Sequence, residues 1–237
     1  MKHLLVSTVS MSALAAVFSL SASAATISWS ESVYTNTGTA KNTIGVDQFD
    51  QSGDLIYAVN VGGGAFTFTN SVNPDIDFLA SHADLDTSAL DLTYAGFYAN
   101  TTPSANNVLG STGAYSNDLT GETVTMNNLV IGQEYLFQIL LVDGRGGSNG
   151  RYAEFDSFTT SAYGNGVNNV TWGDSLLVTG TFTADADSQS FFFDTLNQNG
   201  SSAGGQMNGF LLYSVPEPSS TALLGLAGVA LLARRRR

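Results

Sequence analysis

The stretch Glu-Tyr-Leu-Phe-Gln-Ile-Leu-Leu-Val at residues 134–142 decides the fold class. Every residue after Glu134 is apolar except Gln138, so both alternating faces of an extended segment would be apolar. A strand of this composition lies in the centre of a sheet that is covered on both sides. We therefore place residues 134–142 at the centre of a β-domain and interpret the rest of the chain outward from it.

Short apolar or β-branched runs on both sides of this segment alternate with clusters of Gly, Asn, Asp and Ser. Such runs are typical of strands in an all-β protein. We predict further strands at residues 26–30, 55–61, 65–69, 94–98, 123–129, 152–158, 176–182, 189–194 and 207–213. The stretch 75–92 is the least strand-like and leaves room for a helical turn. The predicted fold class is all-β, with a single antiparallel β-sandwich or jelly roll over residues 25–214.

The charge and cysteine content of this middle region exclude several classes of function. It carries three basic and nineteen acidic residues, and this net charge near −16 repels phosphate backbones, so we expect no nucleic acid partner. The chain has no cysteine, which excludes thiol catalysis and Cys-ligated metal sites. The domain must therefore be stabilised by core burial, for which its size is sufficient.

The N-terminal segment has the three parts of a secretory signal peptide. A positively charged start precedes an apolar run at 4–20, and Ala22-x-Ala24 stands before Ala25. Signal peptidase accepts small side chains at the positions of Ala22 and Ala24. We predict that residues 1–24 are a signal peptide, cut before Ala25, and that the domain is exported. A membrane anchor that stays attached is the alternative.

The C-terminal end, residues 215–237, combines three elements in order. Pro216-Glu217-Pro218 comes first and an apolar run at 221–233 follows. A positive cluster closes the sequence: Arg234, Arg235, Arg236 and Arg237. As a helix, this run would reach about 20 Å, which is short for a bilayer, although snorkelling arginine stems extend it. The positive-inside rule keeps the arginines cytoplasmic, and the prolines hold the preceding segment extended outside the membrane.

These three elements closely resemble the PEP-CTERM sorting signal. The resemblance implies that an exosortase, a membrane-embedded protease-transpeptidase, recognises Pro216, Glu217 and Pro218 and removes the tail. It also implies a Gram-negative host that makes exopolysaccharide. The precursor would contact the inner membrane through a short transmembrane sorting helix, and the product would reach the cell surface or the extracellular space. A plain C-terminal anchor is the alternative.

A second resemblance concerns the middle region. The segments at 129–145, 180–185 and 208–212 are similar to strands and loops of galactose-binding-like jelly rolls. Their residues read Leu-x-x-Gly-x-x-Tyr-x-Phe-Gln, later Leu-Val-Asp-x-Arg, then Gly-Thr-Phe-Thr-Ala-Asp and Asn-Gly-Phe-x-Leu. The resemblance implies a carbohydrate-binding type of scaffold, and it transfers no ligand-contact residue.

The loop at residues 143–152 is the favoured position for a ligand site. It contains Arg145 and Arg151, several glycines that allow a ligand to approach closely, and Tyr152. Tyr152 and Trp172 are candidates for stacking on a sugar, and either arginine is a candidate for pairing with a uronate carboxylate. Ordinary pairing of both arginines with surplus carboxylates is the alternative.

Catalytic and metal sites find little support in the sequence. Gly-Asp-Ser-Leu at 173–176 matches the motif of GDSL-type esterases, but no histidine follows His82 to act as a general base, so we interpret the motif as a turn. His82 itself is expected to lie exposed in a loop. Acidic pairs are interpreted as solvated loop residues, with one structural calcium ion as the alternative: Asp75/Asp77, Asp84/Asp86 and Asp185/Asp187. We expect no catalytic residue, no metal ligand set and no cofactor.

The sequence therefore favours a non-catalytic protein of the cell surface or extracellular matrix. It would be associated with exopolysaccharide and would bind carbohydrate weakly. A glycan-active hydrolase and a purely structural surface protein are the two alternatives.

Overall fold

The computed structural model describes residues 25–34, 48–69, 74–95, 109, 112–142, 150–163 and 175–216. Every named element in these ranges is a strand. The bounds are β1 Ser28–Tyr34, β2 Asp54–Asn60, β3 Phe66–Phe68, β4 Ile76–Leu79, β5 Leu85–Asp86, β6 Leu92–Ala95, β7 Thr112–Tyr115, β8 Glu122–Met126, β9 Glu134–Val142, β10 Arg151–Phe155, β11 Phe158–Thr159, β12 Ser175–Thr183, β13 Gln189–Asn197, β14 Gln206–Met207 and β15 Gly209–Val215. Within these ranges no helix has the length and hydrophobicity of a membrane span, and the apolar run at 221–233 lies outside them.

The strands form two large sheets and one small sheet. The first sheet has seven strands in the order β1-β12-β9-β15-β2-β4-β3, and the second has five in the order β11-β10-β13-β8-β5. A third sheet has the order β14-β7-β6. Neighbouring strands are antiparallel, apart from the parallel pair of β2 and β4. The main hydrophobic core draws side chains from both large sheets, which confirms the predicted all-β sandwich.

Strand β9 lies in the interior of the seven-stranded sheet, between β12 and β15, and coincides with the segment that the sequence singles out. Its odd-numbered side chains from Tyr135 to Leu141 belong to the main core between the sheets. Leu136, Leu140 and Val142 point to the other face and join a second apolar cluster. This strand is thus buried on both faces, as its composition predicts.

The stretch 75–92 departs from the expected helical turn, since it contains the strands β4 and β5. In β4, Ile76 and Phe78 are buried while Asp77 and Leu79 are exposed. This alternation with a period of two identifies a strand, and the sequence hides it because Asp77 interrupts the apolar residues of a four-residue segment. Strand β7 was also missed by the sequence-based prediction.

The strand register gives the domain two distinct ends. Strand β9 begins at Glu134, which lies opposite Val215 and Thr183, and it ends at Val142, which lies opposite Ser175. A nine-residue strand spans roughly 27 Å between its first and last residues. We call the end at Val215 the tail end and the end at Val142 the loop end, because the loop after β9 departs there.

Candidate functional site

The sorting motif begins directly beyond the last strand. Val215 is the final residue of β15, and Pro216, which is exposed, follows it. Glu217, Pro218 and the cluster Arg234 to Arg237 lie outside the described residues. Any enzyme that binds Pro216 must therefore approach the tail end of the domain.

The turn at 127–133, between β8 and β9, forms part of the tail end. The amide of Leu129 donates to the carbonyl oxygen of Asp187 at 2.9 Å, and the amide of Gly132 donates to that of Ala184 at 2.7 Å. Gly132 has a φ of 88°, which favours glycine at this position. These bonds hold the turn against the neighbouring turn between β12 and β13.

The predicted signal-peptide cleavage site adjoins the same end. Ala25 is described and packs partly buried against the main core, close to the start of β1, whose Ser28 pairs with Thr181. Ala22 and Ala24 lie outside the described residues. Cleavage before Ala25 stays a prediction.

Buried amide side chains stabilise the loop end. The amide of Val142 donates to Oδ1 of Asn208 at 2.8 Å, and Nδ2 of Asn208 donates to the carbonyl oxygen of Thr112 at 2.8 Å. Nε2 of Gln206 donates to the carbonyl oxygen of Val142, also at 2.8 Å. Asn208 and Gln206 are both buried. The sequence alone gives these two amides no role, because their burial is visible only in the structure, and buried polar side chains are normally hydrogen-bonded.

Arg151 and Tyr152 lie at the loop end, where β10 begins. Arg151 is half-buried, and its guanidinium lies 3.4 Å from Oε1 of Gln206. Its backbone also exchanges two hydrogen bonds with Tyr163. Because side chains alternate along a strand, Arg151 shares the core-facing side with Ala153, and Tyr152 points to the opposite face. Arg151 therefore has structural contacts of its own.

The other two candidates for the ligand loop, Arg145 and Trp172, lie outside the described residues. The structure thus places Arg151 and Tyr152 at one end of the sandwich but on opposite faces of β10. Their joint assignment to a ligand stays a prediction.

A cleft of about 330 Å³ opens on the side of the sandwich, where the chain passes from β4 to β5. Its apolar lining includes buried residues of the main core: Val59, Val61, Leu85, Leu90 and Ala114. Its polar lining consists of hydroxyl groups and one imidazole: Ser81, His82, Thr87 and Thr93. Gly62 and Gly63, which follow β2 at the loop end, also line it. Such a cleft can hold a small ligand that has an apolar face and several hydroxyl groups.

His82 departs from the expectation of an exposed loop residue. Its side chain is 26% exposed, and its ring stacks on that of Tyr57 with 4.2 Å between the ring centroids. The amide of Asp84 donates to Nδ1 of His82 at 3.2 Å, so a neutral imidazole carries its proton on Nε2. Tyr57 and His82 are far apart in the sequence, so no local sequence pattern predicts the contact between their rings.

Neither the GDSL-like motif nor the acidic pairs assemble a catalytic or metal site among the described residues. Ser175 is buried as the first residue of β12. Within the described ranges, no three His, Asp or Glu side chains are placed to hold a metal ion. Asp77 accepts a hydrogen bond from the hydroxyl of Thr67 at 2.7 Å, and Asp84 accepts one from Nδ2 of Asn128 at 2.5 Å. A structural calcium ion stays a prediction.

Comparison with solved structures finds plant receptors of low similarity. A chain from the crystal structure of the plant peptide RALF23 in complex with FER and LLG2 has 11% identity and a TM-score of 0.46, covering 77% of this chain and 55% of that one. The plant receptor-like kinase ANX1 has 10% identity and a TM-score of 0.46, covering 68% and 48%. The ANX2 ectodomain from Arabidopsis thaliana has 9% identity and a TM-score of 0.38, covering 72% and 55%. The chain spans about half the length of these solved chains.

Comparison at the sequence level gives a more specific result. No curated protein sequence matches the chain. Residues 214–237 match the PEP-CTERM protein-sorting motif, which agrees with the resemblance carried by Pro216, Glu217 and Pro218. The chain therefore carries a PEP-CTERM sorting signal and is an exported protein, made as a membrane-anchored precursor that an exosortase processes for delivery to the cell surface.

Proposed function

We propose that the processed protein is a non-catalytic component of the cell surface or extracellular matrix that associates with exopolysaccharide and binds a neutral glycan weakly. The observation that carries this proposal is the position and lining of the cleft at His82. The cleft reaches Gly62 and Gly63 at the loop end, away from the strand end that leads to the tail. At Leu85, which pairs with Met126 beside the turn at 127–133, the cleft also approaches the tail end, so it runs along the side of the sandwich.

The chemistry of the cleft suits a sugar ring. Its volume of about 330 Å³ lies at the lower end of the range for small-ligand sites. The apolar floor of Val59, Leu85 and Leu90 offers a surface for the C–H face of a pyranose, and the hydroxyls of Thr87 and Thr93 offer hydrogen bonds. A small site with few fixed polar groups supports weak binding to one or two sugar units.

The negative charge of the domain favours neutral glycans over acidic ones as ligands. The middle region carries a net charge near −16, and Asp84 lies 3.8 Å from the imidazole of His82 at the cleft. Such a surface repels acidic polymers at low salt. Arg151 has its own contact with Gln206, so recognition of a uronate would depend on Arg145. A neutral glycan, or an acidic one bridged by calcium, is the favoured ligand.

Two exposed carboxyl groups, Asp86 and Asp118, do not suit the general-acid role in glycoside hydrolysis. Hydrogen bonds from Ser88 lower the pKa of Asp86, and hydrogen bonds from Thr120 lower the pKa of Asp118. A general acid in glycoside hydrolysis needs a raised pKa, so neither group suits that role. The cleft contains one imidazole, that of His82, and its Nδ1 already accepts the amide hydrogen of Asp84. These features support a binding role for the site.

Titration of the mature protein with the host's own polysaccharide, with and without calcium, tests the proposal. We expect saturable binding in the millimolar range of sugar units, weakened at least fivefold by His82→Ala together with Thr87→Val. Ile56→Ala, which changes an exposed side chain near the tail end, should leave binding unchanged. Absence of binding under both conditions would contradict the glycan proposal and favour a purely structural role.

Two further measurements separate the remaining alternatives. If binding survives the His82 and Thr87 changes but is lost in Arg145→Ala with Tyr152→Ala, the site lies at the loop after β9 and not in the cleft. Release of reducing sugar from a panel of polysaccharides would identify a hydrolase instead.

A further inference from the structure

We propose that four exposed apolar side chains around the exit of the sorting tail form a second contact surface for the exosortase that processes the precursor. These residues, which we call the exit collar, are Leu55, Ile56, Val130 and Ile131. The inference rests on the sorting motif and is independent of the proposed glycan binding.

The exit collar flanks the exit strand on both sides. Strand β15 lies between β2 and β9 in the seven-stranded sheet. Leu55 and Ile56 follow Asp54, which pairs with Ser214 on one side of β15. Val130 and Ile131 belong to the turn that leads into β9, whose Glu134 pairs with Val215 on the other side. The tail therefore leaves the domain between two apolar pairs.

The collar side chains are exposed although the backbone that carries them is well held. Val130 and Ile131 are each 66% exposed, and Leu55 and Ile56 are 39% and 44% exposed. The amide of Val130 donates to the hydroxyl of Tyr135 at 2.8 Å, which fixes the turn. The collar holds four of the seven large apolar side chains that are exposed among the described residues, and a concentration of such side chains at one end of a domain favours a contact surface there.

The distance from the collar to the sorting motif identifies that partner. Nε2 of Gln133 donates to the carbonyl oxygen of Val215 at 2.6 Å, so the collar turn is bonded directly to the residue before Pro216. The three motif residues reach at most about 11 Å when fully extended. An enzyme that binds Pro216 to Pro218 must therefore lie against the tail end, with the collar inside its footprint.

A bilayer fits the same surface less well. Five residues separate Val215 from the apolar run at 221–233, which allows up to about 18 Å between the domain and the membrane. Three exposed acidic residues also lie at the tail end, namely Glu134, Asp185 and Asp187. They oppose docking on anionic lipid, whereas a protein surface can pair with them. The geometry thus favours the enzyme over the lipid.

Processing of the full-length precursor in its host tests the proposal. We expect Val130→Ser with Ile131→Ser to slow the loss of the tail by about tenfold in a pulse-chase experiment, which corresponds to the burial of roughly one apolar side chain. Leu55→Thr with Ile56→Thr, which places β-branched residues suited to a strand at both positions, should also slow the loss of the tail. The matched control is Leu119→Ser. Leu119 is 64% exposed and lies just before Glu122, where β8 begins at the side of the domain far from the tail. Processing at the parental rate in both collar variants would overturn the proposal.

A crosslinking experiment tests the same proposal without the serine and threonine variants, in case one of them does not fold. A photoreactive phenylalanine at position 131 of the otherwise unchanged precursor should crosslink to an epitope-tagged exosortase, and the same group at position 119 should not. Adducts with lipid alone at position 131, or equal exosortase adducts at both positions, would contradict the assignment.

Discussion

Gly180 lies directly opposite Phe137 in the pairing of β12 with β9, and the ring of Phe137 fills the space that a side chain at position 180 would need. A Cβ atom at that position would come within 2.2 Å of the ring. The same ring stacks on Phe191 and Phe210, with centroid distances of 5.4 and 5.6 Å. The centre of the sandwich core thus depends on one glycine and one fully buried ring.

Substitutions at these two positions should both destabilise the domain. Phe137→Ala should lower the free energy of unfolding by about 3–5 kcal/mol, because it leaves a cavity among aromatic rings. Gly180→Ala should lower it by about 1–3 kcal/mol through overpacking, and by less when Phe137 is already Ala. Urea unfolding measures these values, with Thr181→Ala on the outer face as the control. A loss below about 0.5 kcal/mol for Phe137→Ala would contradict a central position for this ring.

Two buried tyrosines should make the domain sensitive to alkali. Burial raises the pKa of Tyr57, with the charge of Asp84 adding to it, and burial with the charge of Asp50 raises the pKa of Tyr213. The unfolded chain ionises its tyrosines near pH 10, so the stabilising contribution is present below about pH 10 and is lost as the pH rises further. Tyr57→Phe with Tyr213→Phe should therefore reduce the loss of stability between about pH 9 and 11.5.

The same double variant should be at least as stable as the parent at pH 7. Among the described residues, the hydroxyls of Tyr57 and Tyr213 are buried without a hydrogen-bond partner, so their removal relieves a desolvation cost. Tyr135→Phe is the control, because its hydroxyl accepts the amide hydrogen of Val130 and its loss should destabilise the domain. Thermal unfolding across the pH series measures both effects. A steeper alkaline loss in the double variant would contradict the assignment.

The hydrogen bonds of Asn208 should be needed to keep the loop end of the domain folded. Asn208→Ala leaves the amide of Val142 and the carbonyl oxygen of Thr112 without their side-chain partner in a buried setting, at a cost of about 1–3 kcal/mol. Hydrogen exchange of the Val142 amide should rise, while that of Phe137 stays slow. Asn199→Ala, at an exposed position, is the control. Unchanged exchange at Val142 would show that the network does not hold this end.

Replacing Pro216, Glu217 and Pro218 with alanine should leave uncut precursor in the membrane fraction. The sorting motif at 214–237 contains these residues, and Pro216 is exposed beyond β15. Intact mass of the surface protein is the measurement. A parental surface product that still includes Arg234 to Arg237 would be incompatible with sorting by cleavage.

The mature N-terminus should be Ala25, or the residue that follows it, because small residues at Ala22 and Ala24 suit signal peptidase. N-terminal sequencing of exported material decides the matter. A sequence that begins at Met1 would refute cleavage and support an attached anchor.

Local patterns were sufficient to predict the long strands of the core and the sorting motif. The apolar run at 134–142 predicted β9, because a strand that is buried on both faces has apolar residues at consecutive positions. The PEP-CTERM match depends on three elements in order along the chain, which needs no folding to be recognised. Strand β4 was not predicted, because it is short and one exposed acidic residue, Asp77, interrupts its apolar residues.

The tertiary structure alone decided how these elements are combined. The pairing of β15 with β2 and β9 places the exit of the tail between Leu55–Ile56 and Val130–Ile131, residues more than seventy positions apart. The stacking of His82 on Tyr57 and the bonding of Asn208 to Val142 likewise join distant segments. Periodicity and motifs are properties of neighbouring residues, so the sequence by itself determined the long core strands and the sorting signal. Strand pairing depends on the fit of side chains across the whole sandwich. The packing therefore determined the cleft at His82, the bonding of the loop end and the surroundings of the tail exit.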